Sequence, residues 1–356
     1  MVELDNLGQI KALDTSNLLG SIVGLPDQIE QAWQEVQKIE VPEDYCRVKN
    51  IVVAGMGGSA LGADFLRSVF PLDLPLETVR EYKLGHAVNH NSLVILSSYS
   101  GDTEETLACA QEASNAGSKV IGISTGGKLI DFLQQKGLPY YQFVPNFNPC
   151  GQPRAGLGYS IAALGAFLQK CKIINLDDDR IKEIASHLRV LTGDLGVEKP
   201  LSENKAKKIA SFLKERVVVI VGAEFLSGNA HIFANQLNET AKTLAFYFIL
   251  PELNHHLMEG LENPKNLKDN LTFIFLKSSV YKDRIKKRME ITQEIISEKR
   301  ITYFDYEPTG LTEVLQAFEA LAFSSYVSFY LGIVNGIDPT PTPWIKLFKE
   351  KLSESV

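Results

Sequence analysis

The chain has 356 residues, 45% hydrophobic and 22% charged, the balance of an ordinary globular protein with room for about two domains. Its formal net charge of −7 argues against a nucleic-acid binder, which usually carries a basic face. It leaves an anionic small substrate open, because local donors decide that question. No run approaches the ~20 apolar residues of a membrane helix. The opening MVELDNLGQIKALD has neither a basic n-region nor an apolar h-region, so a cytoplasmic location is the expectation. Cys46, Cys109, Cys150 and Cys171 are scattered without CxxC spacing and read as reduced, mostly core thiols.

Residues 1–45 are expected as an N-terminal helical extension. From Arg47 the pattern alternates. RVKNIVVAG reads as a buried strand and SALGADFLRSVF as a helix. LETVREYK is a possible second strand, SLVILSS a third, and TEETLACAQEASNAG a helix ending in Gly. KVIGIST, KLIDFLQQKG and YYQFV follow as strand, helix and strand. Three helical stretches then occupy residues 152–215. The strand–helix rhythm returns with RVVVIVGAEF, the helix SGNAHIFANQLNETAKT, and the strands AFYFIL and LTFIFL. A long helix, the strand ITYFDY and the apolar helix LTEVLQAFEALAFSSYVSFYLG complete it. Alternating βα units mean parallel sheets with helices on both faces. The expectation is an α/β protein of two doubly wound parallel-sheet domains, over 46–155 and 206–356, joined by a helical linker over 156–205. No short exact repeat occurs, so any duplication is one of fold.

Three loops follow strands of the first domain: GMGGSA (55–60), SSYSGDTEET (97–106) and STGGKL (124–129). All three are expected at carboxyl ends of parallel strands, where open α/β sheets bind ligands. Helix N-termini offer unpaired N–H groups and a positive dipole end. Glycines such as Gly58 let a ligand approach the backbone. The hydroxyls of Ser59, Ser98, Ser100 and Thr103 can donate to phosphate oxygens without adding charge. Asp102, Glu104 and Glu105 suit the first turn of a helix and can point away. N-caps and turns also favour Ser, Thr and Gly, and GMGGS is neither a P-loop nor a clean GxGxxG. Two such loops in one sheet weigh towards phosphate. SxSGxTxxT after a strand, preceded by GxGGS, resembles the sugar-isomerase (SIS) domain. That resemblance implies phosphosugar binding through hydroxyls matching Ser59, Ser98, Ser100 and Thr103.

Aldose–ketose interconversion needs a ring-opening group, a base and an enediolate stabiliser, with no metal or cofactor. Glu239 in NQLNETAKT can shuttle a proton if burial raises its pKa. His255 or His256 in LPELNHHLMEG can protonate a ring oxygen. Arg154 in GQPRAGLGY stands at the junction of the halves, suited to an oxyanion. Thr340, Thr342 and Lys349 lie in DPTPTPWIKLFKEKL. Taken singly, each has a structural reading: a solvated helix glutamate, a structural histidine, a bridging arginine, a lysine stem covering apolar surface. His255, His256 and Glu259 lack the HExxH order, which argues against a metal.

The combination NxxNETAKT…PELNH, PRAGLGYS and DPTPTPWIKLFK resembles the bifunctional phosphoglucose/phosphomannose isomerases of the archaeal type, from about residue 45 to the end. The resemblance implies Glu239 as the base moving a proton between C1 and C2. It implies Arg154 as the enediolate stabiliser and Lys349 as an aid to ring opening. It implies a homodimer in which His255 acts in ring opening from the other subunit. A threonine in the DPTP region would permit the mannose epimer, and the spacing to Lys349 favours Thr342. Two departures stand out: the family's Asn-His-Asn is NHH here, so His256 competes with His255, and residues 172–205 look longer than in compact members. The function expected is interconversion of fructose 6-phosphate with glucose 6-phosphate and mannose 6-phosphate. The alternative is a non-catalytic phosphosugar-binding regulator. A glucosamine-phosphate synthase half is disfavoured, because the chain has no room for a glutaminase domain. Neither nucleic acid nor membrane is an expected partner.

Overall fold

The structure, a computed structural model, describes residues 3–354. The outermost two residues of the expected N-terminal extension and of the second domain lie outside it. The extension holds helices α1 (Leu7–Leu13), α2 (Leu18–Val23) and α3 (Leu25–Gln37). The first sheet unit runs β1 (Asn50–Ala54), α4 (Gly58–Val69), β2 (Leu76–Val79), β3 (Ser92–Ser97), α5 (Glu104–Asn115), β4 (Lys119–Ser124), α6 (Gly127–Gln135) and β5 (Tyr140–Gln142). Helices α7 (Leu157–Lys170), α8 (Asp178–Leu195) and α9 (Lys205–Phe212) connect it to the second unit. That unit runs β6 (Val217–Ala223), α10 (Ser227–Gln236), β7 (Ala245–Leu250), two short helices α11 (Leu257–Gly260) and α12 (Leu267–Asn270), β8 (Leu271–Leu276), α13 (Asp283–Glu298), β9 (Thr302–Tyr306) and α14 (Glu313–Val334). Helix α15 (Pro343–Ser353) ends the described chain.

Both sheets are wholly parallel. The first has the order β2-β1-β3-β4-β5 and the second β7-β6-β8-β9. Up to its fourth strand each sheet repeats the order second-first-third-fourth, so the duplication is one of topology. Each chain reversal puts a switch point between two central strands, β1/β3 and β6/β8, where a crevice opens at the carboxyl ends. The central strands β1, β3, β4, β6 and β8 are apolar runs buried on both faces, as parallel sheets require, while the edge strands β2, β5, β7 and β9 are partly exposed. Ile51, Val53, Leu93, Ile95 and Ile121 join the main core, which includes residues of α3, α4 and α7. Their neighbours Val52, Val94, Leu96 and Val120 face Cys109, Ala110, Leu129 and Leu133 of α5 and α6.

Helix α7 packs on α3 and α4, α8 lies against α3 and α14, and α9 packs on α14. The extra sequence after residue 172 thus bonds the N-terminal helices to the second unit. Helix α14 corrects one expectation. Its 22 residues are long and apolar enough to cross a membrane by length and composition, yet 94% of its most apolar window is buried inside the protein. A helix that is apolar all round is a core helix when its neighbours cover every face, and α8, α9 and α10 cover this one.

The stretch expected as one helix over SGNAHIFANQLNETAKT also differs. Helix α10 stops at Gln236 and loosens into a π turn over Leu237–Ala241, after which Lys242 adopts a left-handed conformation (φ 51°). Such π segments recur at functional sites, because they re-aim side chains that an α-helix would hold in register.

Candidate active site

The Ser-rich loop sits at the β1/β3 switch point. Ser59 Oγ accepts the Tyr99 N–H at 3.0 Å, tying the loop after β1 to the loop after β3. Ser98 Oγ accepts the Gly101 N–H at 3.0 Å and lies 2.9 Å from Thr103 Oγ1, and Ser100 Oγ accepts the Asp102 N–H at 3.3 Å. Ser59 and Ser100 thus act as acceptors within the protein, which leaves their O–H protons for a ligand. Helices α4 and α5 both begin without a side-chain cap; in α4 the Ser59 and Ala60 N–H groups donate to Met56 O and Gly57 O, which leaves the Gly58 N–H and the first turn of α5 to an anion. Asp102 does point away: its Oδ1 accepts the Lys128 N–H at 3.1 Å and caps α6.

The third loop, STGGKL, has a different part from the one expected. Thr125 Oγ1 donates to Tyr99 O at 2.7 Å and Leu129 N to Gly101 O at 3.0 Å, so it braces the Ser-rich loop from behind. Gly101, at φ 79°, lies so close to this brace that a Cβ would fall 1.8 Å from Gly126 O. No other residue fits there.

Arg154 comes to the same place by a close backbone approach. It sits in the 3-10 turn Pro153–Ala155, and a Cβ on Gly58 would meet that turn's backbone at 3.1 Å. Its side chain is 3% exposed. Nε donates to Thr240 Oγ1 at 3.0 Å, and Nη2 donates to Pro339 O at 2.9 Å and Thr340 O at 2.6 Å. Nη1 donates to Gln152 Oε1 at 3.2 Å and lies 3.7 Å from Glu239 Oε2. Of five N–H groups, four serve the protein. The one left, on Nη1, is on the nitrogen nearest Glu239.

Glu239 projects from the π turn with 27% of its side chain exposed. Burial raises its carboxyl above the ordinary glutamate range, and the charges of Arg154, Lys242 and Lys349 pull it only part of the way back. The carboxylate stands at the amino ends of the second sheet's strands, since α10 runs back from β6 to the start of β7. Helix α4 packs antiparallel to α10: Gly228, at the start of α10, touches Asp64 in the second half of α4, and His231 Nδ1 lies 2.8 Å from Asp64 Oδ2. The first turn of α4 and the last turn of α10 therefore meet at Arg154.

The C-terminal arm closes this group. Lys242 Nζ donates to Pro339 O at 2.9 Å, sharing that carbonyl with Arg154. Thr340 is buried, its hydroxyl without a partner among the described residues. Thr342, at the start of α15, makes no side-chain cap bond. Lys349 lies on α15, which buries none of its residues, and its charge reaches Glu239.

His255 is not brought to this group. It is exposed, in the 3-10 turn after β7, at the opposite end of that strand from Glu239. Six residues of strand span roughly 20 Å. His256 lies against Phe248, ring centroids 5.8 Å apart, while among the described residues His255 stacks on no ring.

Residues 202–352 match the family described as bacterial phospho-glucose isomerase C-terminal SIS domain. The chain is 34% identical over 342 residues to a bifunctional phosphoglucose/phosphomannose isomerase of Caldicellulosiruptor bescii, an alignment covering 94% of this chain and 98% of that one. The chain belongs to this family. A second member, from Aquifex aeolicus, is 26% identical with 94% and 97% covered. The solved structure of a hypothetical protein from Thermus thermophilus shares the fold at a TM-score of 0.72 and 18% identity, covering 98% of this chain and 94% of that one.

Within this isomerase fold the second switch point is built differently, its two loops bonded to each other. Glu224 Oε2 accepts the backbone N–H of Lys282 at 3.3 Å, and Phe225 packs on Tyr281 with centroids 5.3 Å apart. A carboxylate and an aromatic ring thus stand where the first domain has hydroxyls, beside an open groove that Glu224, Phe225 and Lys282 help to line. Two residues that touch the site's framework were not singled out in the sequence. Lys242 could have been found from its place three residues after Glu239. Gln28 had no local signal, because most of what it holds is 119 to 130 residues away.

Proposed function

We propose that the chain is an aldose–ketose isomerase that interconverts fructose 6-phosphate with glucose 6-phosphate and mannose 6-phosphate. The observation that carries this reading is the Arg154–Glu239 pair: a carboxylate with a raised pKa beside a buried, fixed cation with one free N–H. Glu239 takes the proton from C1 or C2 and returns it to the neighbouring carbon. The Arg154 Nη1–H faces the enediolate oxygen that forms between these steps. The substrate phosphate binds the hydroxyls of Ser59, Ser98, Ser100 and Thr103 and the first turns of α4, at Gly58, and α5. Lys349 serves ring opening. Of the two threonines, the buried Thr340 beside Arg154 is better placed than Thr342 to shape the pocket around C2 and C3.

The far position of His255 supports a shared site. His255 of the partner subunit would protonate the ring oxygen, within a homodimer in the cytoplasm. The edge strand β7 offers exposed Phe246 and Tyr247 for such a contact, with Leu244 just ahead of it. Sharing has a direct test. H255A and E239Q are each expected to be inactive, and mixing them through dissociation and reassociation regenerates one complete site per heterodimer. Absence of any recovered activity removes the shared histidine.

The reaction is tested by NMR of metal-stripped protein with fructose 6-phosphate in D₂O. Glucose and mannose 6-phosphates carrying deuterium at C2 are the expected products. Glucose 6-phosphate alone removes the second specificity. Bound phosphosugar without turnover replaces the isomerase by a regulator.

A further inference from the structure

We propose that Cys46 and Cys171 form a reversible disulfide, a thiol-modification site at the end of the first domain remote from Arg154 and Glu239. The two sulfurs lie 2.9 Å apart. They come from segments 125 residues apart in sequence: Cys46 ends the 3-10 turn Glu43–Cys46 ahead of β1, and Cys171 caps the C-terminus of α7. The other two cysteines are buried with oxygen neighbours instead, Cys109 beside Glu81 O and Cys150 beside Asn148 Oδ1, both at 3.3 Å. The short contact is therefore particular to this pair.

The site is reachable from outside. Cys46 is half-buried and Cys171 buried. An open groove runs beside them, lined by Tyr45 and Lys170, their chain neighbours, and by Gln37, Glu40, Pro139 and Gln169. Cys46 is the more accessible sulfur of the two, so it is the one that attacks first. With oxidised glutathione as the oxidant, the Cys46 thiolate attacks one of its sulfurs, and the first glutathione leaves as a thiolate. Cys171 then loses its proton to solvent and attacks Cys46 Sγ, and the second glutathione leaves. Two protein thiols are oxidised and one small disulfide is reduced to two thiols.

The bond would tie the segment entering β1 to the end of α7. Helix α7 has 14 residues, so about 20 Å of helix separates this staple from the Arg154 turn. The consequence is resistance to unfolding, with the chemistry left alone, because a long closed loop restricts the unfolded chain.

The test uses the full chain, reduced and then incubated with oxidised glutathione. The expected mass loss is about 2 Da for one disulfide, and trypsin should join the peptide of residues 39–47 to the dipeptide of residues 171–172. Tm should rise by roughly 5 °C and return with dithiothreitol, while turnover of fructose 6-phosphate stays unchanged. C171S should hold a glutathione adduct on Cys46 and show no rise. Four thiols still titratable, a bond to Cys109 or Cys150, or a lasting Cys46 adduct in the unsubstituted chain overturns the pairing. A bond formed without a rise in Tm overturns the staple.

Discussion

Arg154 Nε and Thr240 Oγ1 stand 3.0 Å apart, both buried, and this bond fixes the guanidinium to the residue next to Glu239. The turn that carries Arg154 belongs to the first domain and the π turn that carries Thr240 to the second. The 3.7 Å separation of Nη1 and Glu239 Oε2 is thus set by a bond between domains rather than by the ion pair itself. Arg154 also holds two carbonyls of the C-terminal arm, so the proposed reagent is framework as well.

Arg154→Lys separates those two parts. Lysine keeps the charge and loses the planar fork that serves Thr240, Pro339 and Thr340 at once. The expected loss in kcat is about 10²- to 10³-fold, the effect of removing one oxyanion donor. Stability should fall by ~1–3 kcal/mol, since buried carbonyls lose their donors. Steady-state kinetics and thermal unfolding check this together. Near-normal kcat in the lysine variant would mean that charge alone suffices.

Glu239→Gln should bind phosphosugar almost as the parent does and lose turnover. Its pH behaviour gives a second reading. The folded-state pKa of Glu239 is raised, so in the parent the acid limb of kcat should lie above the ordinary glutamate range. The same shift has a sign for stability. A raised folded pKa contributes stability at pH below the unfolded value and loses it as pH rises through the folded value. Removing the ionisable group should therefore make the variant gain on the parent as pH rises to neutrality, and the gain should vanish in acid. Unfolding curves from pH 4 to pH 8 decide this. A constant difference across that range would contradict the raised pKa.

Lys242 should set a basic limb. Burial and the Arg154 charge push its ammonium down to about 8, against the opposing pull of Asp338 and Glu239. Above that pH the charge near Glu239 is lost, and kcat should decline with an apparent pKa near the same value. Lys242→Met should lower activity at pH 7 and flatten the limb. The stability contribution runs the other way. A depressed lysine pKa favours the folded state in full only above its unfolded value, so this contribution grows as pH rises from about 8 into the ordinary lysine range. Rate profiles of parent and variant from pH 6 to pH 10 test it, and an unchanged basic limb in the variant would clear Lys242 of this role.

Much of the fold could be read from local patterns. The runs NIVVA and SLVILS could only be buried strands, and the hydroxyl loop after SLVILS stands at the carboxyl edge its position implied. What local patterns could not supply was distance. NETAKT placed Glu239 on a helix, but only the break into a π turn and the antiparallel packing of α4 on α10 carry it to Arg154. STGGKL has the composition of a phosphate loop and is a brace instead, because its hydroxyls are taken by Tyr99 O and Gly126 O. The apolar α14 was misjudged for a related reason: residues such as Ser324, Ser328 and Glu319 interrupt its apolar run without stopping it from being buried on every side.

Gln28 shows why the first 45 residues matter to the site. Its side chain is fully buried, and its Nε2 lies within hydrogen-bond distance of Ser21 O, Phe147 O and Ala155 O, at 2.9 to 3.0 Å. Its Oε1 accepts the Gly158 N–H at 3.2 Å. Ala155 ends the turn of Arg154 and Gly158 lies in the first turn of α7, so one carboxamide from α3 holds both sides of that corner. Gln28→Leu keeps the volume and removes every polar contact, leaving carbonyls and an N–H unpaired at a cost of about 1–3 kcal/mol for each group stranded. A positioning role makes a sharper claim than lost stability. Well below the variant's Tm, kcat should drop about 10-fold or more, because a misplaced guanidinium loses alignment with the reacting carbons. KM for fructose 6-phosphate should change little, because none of these bonds touches the hydroxyl loop. Equal losses in affinity and turnover would show that Gln28 merely keeps the first domain folded.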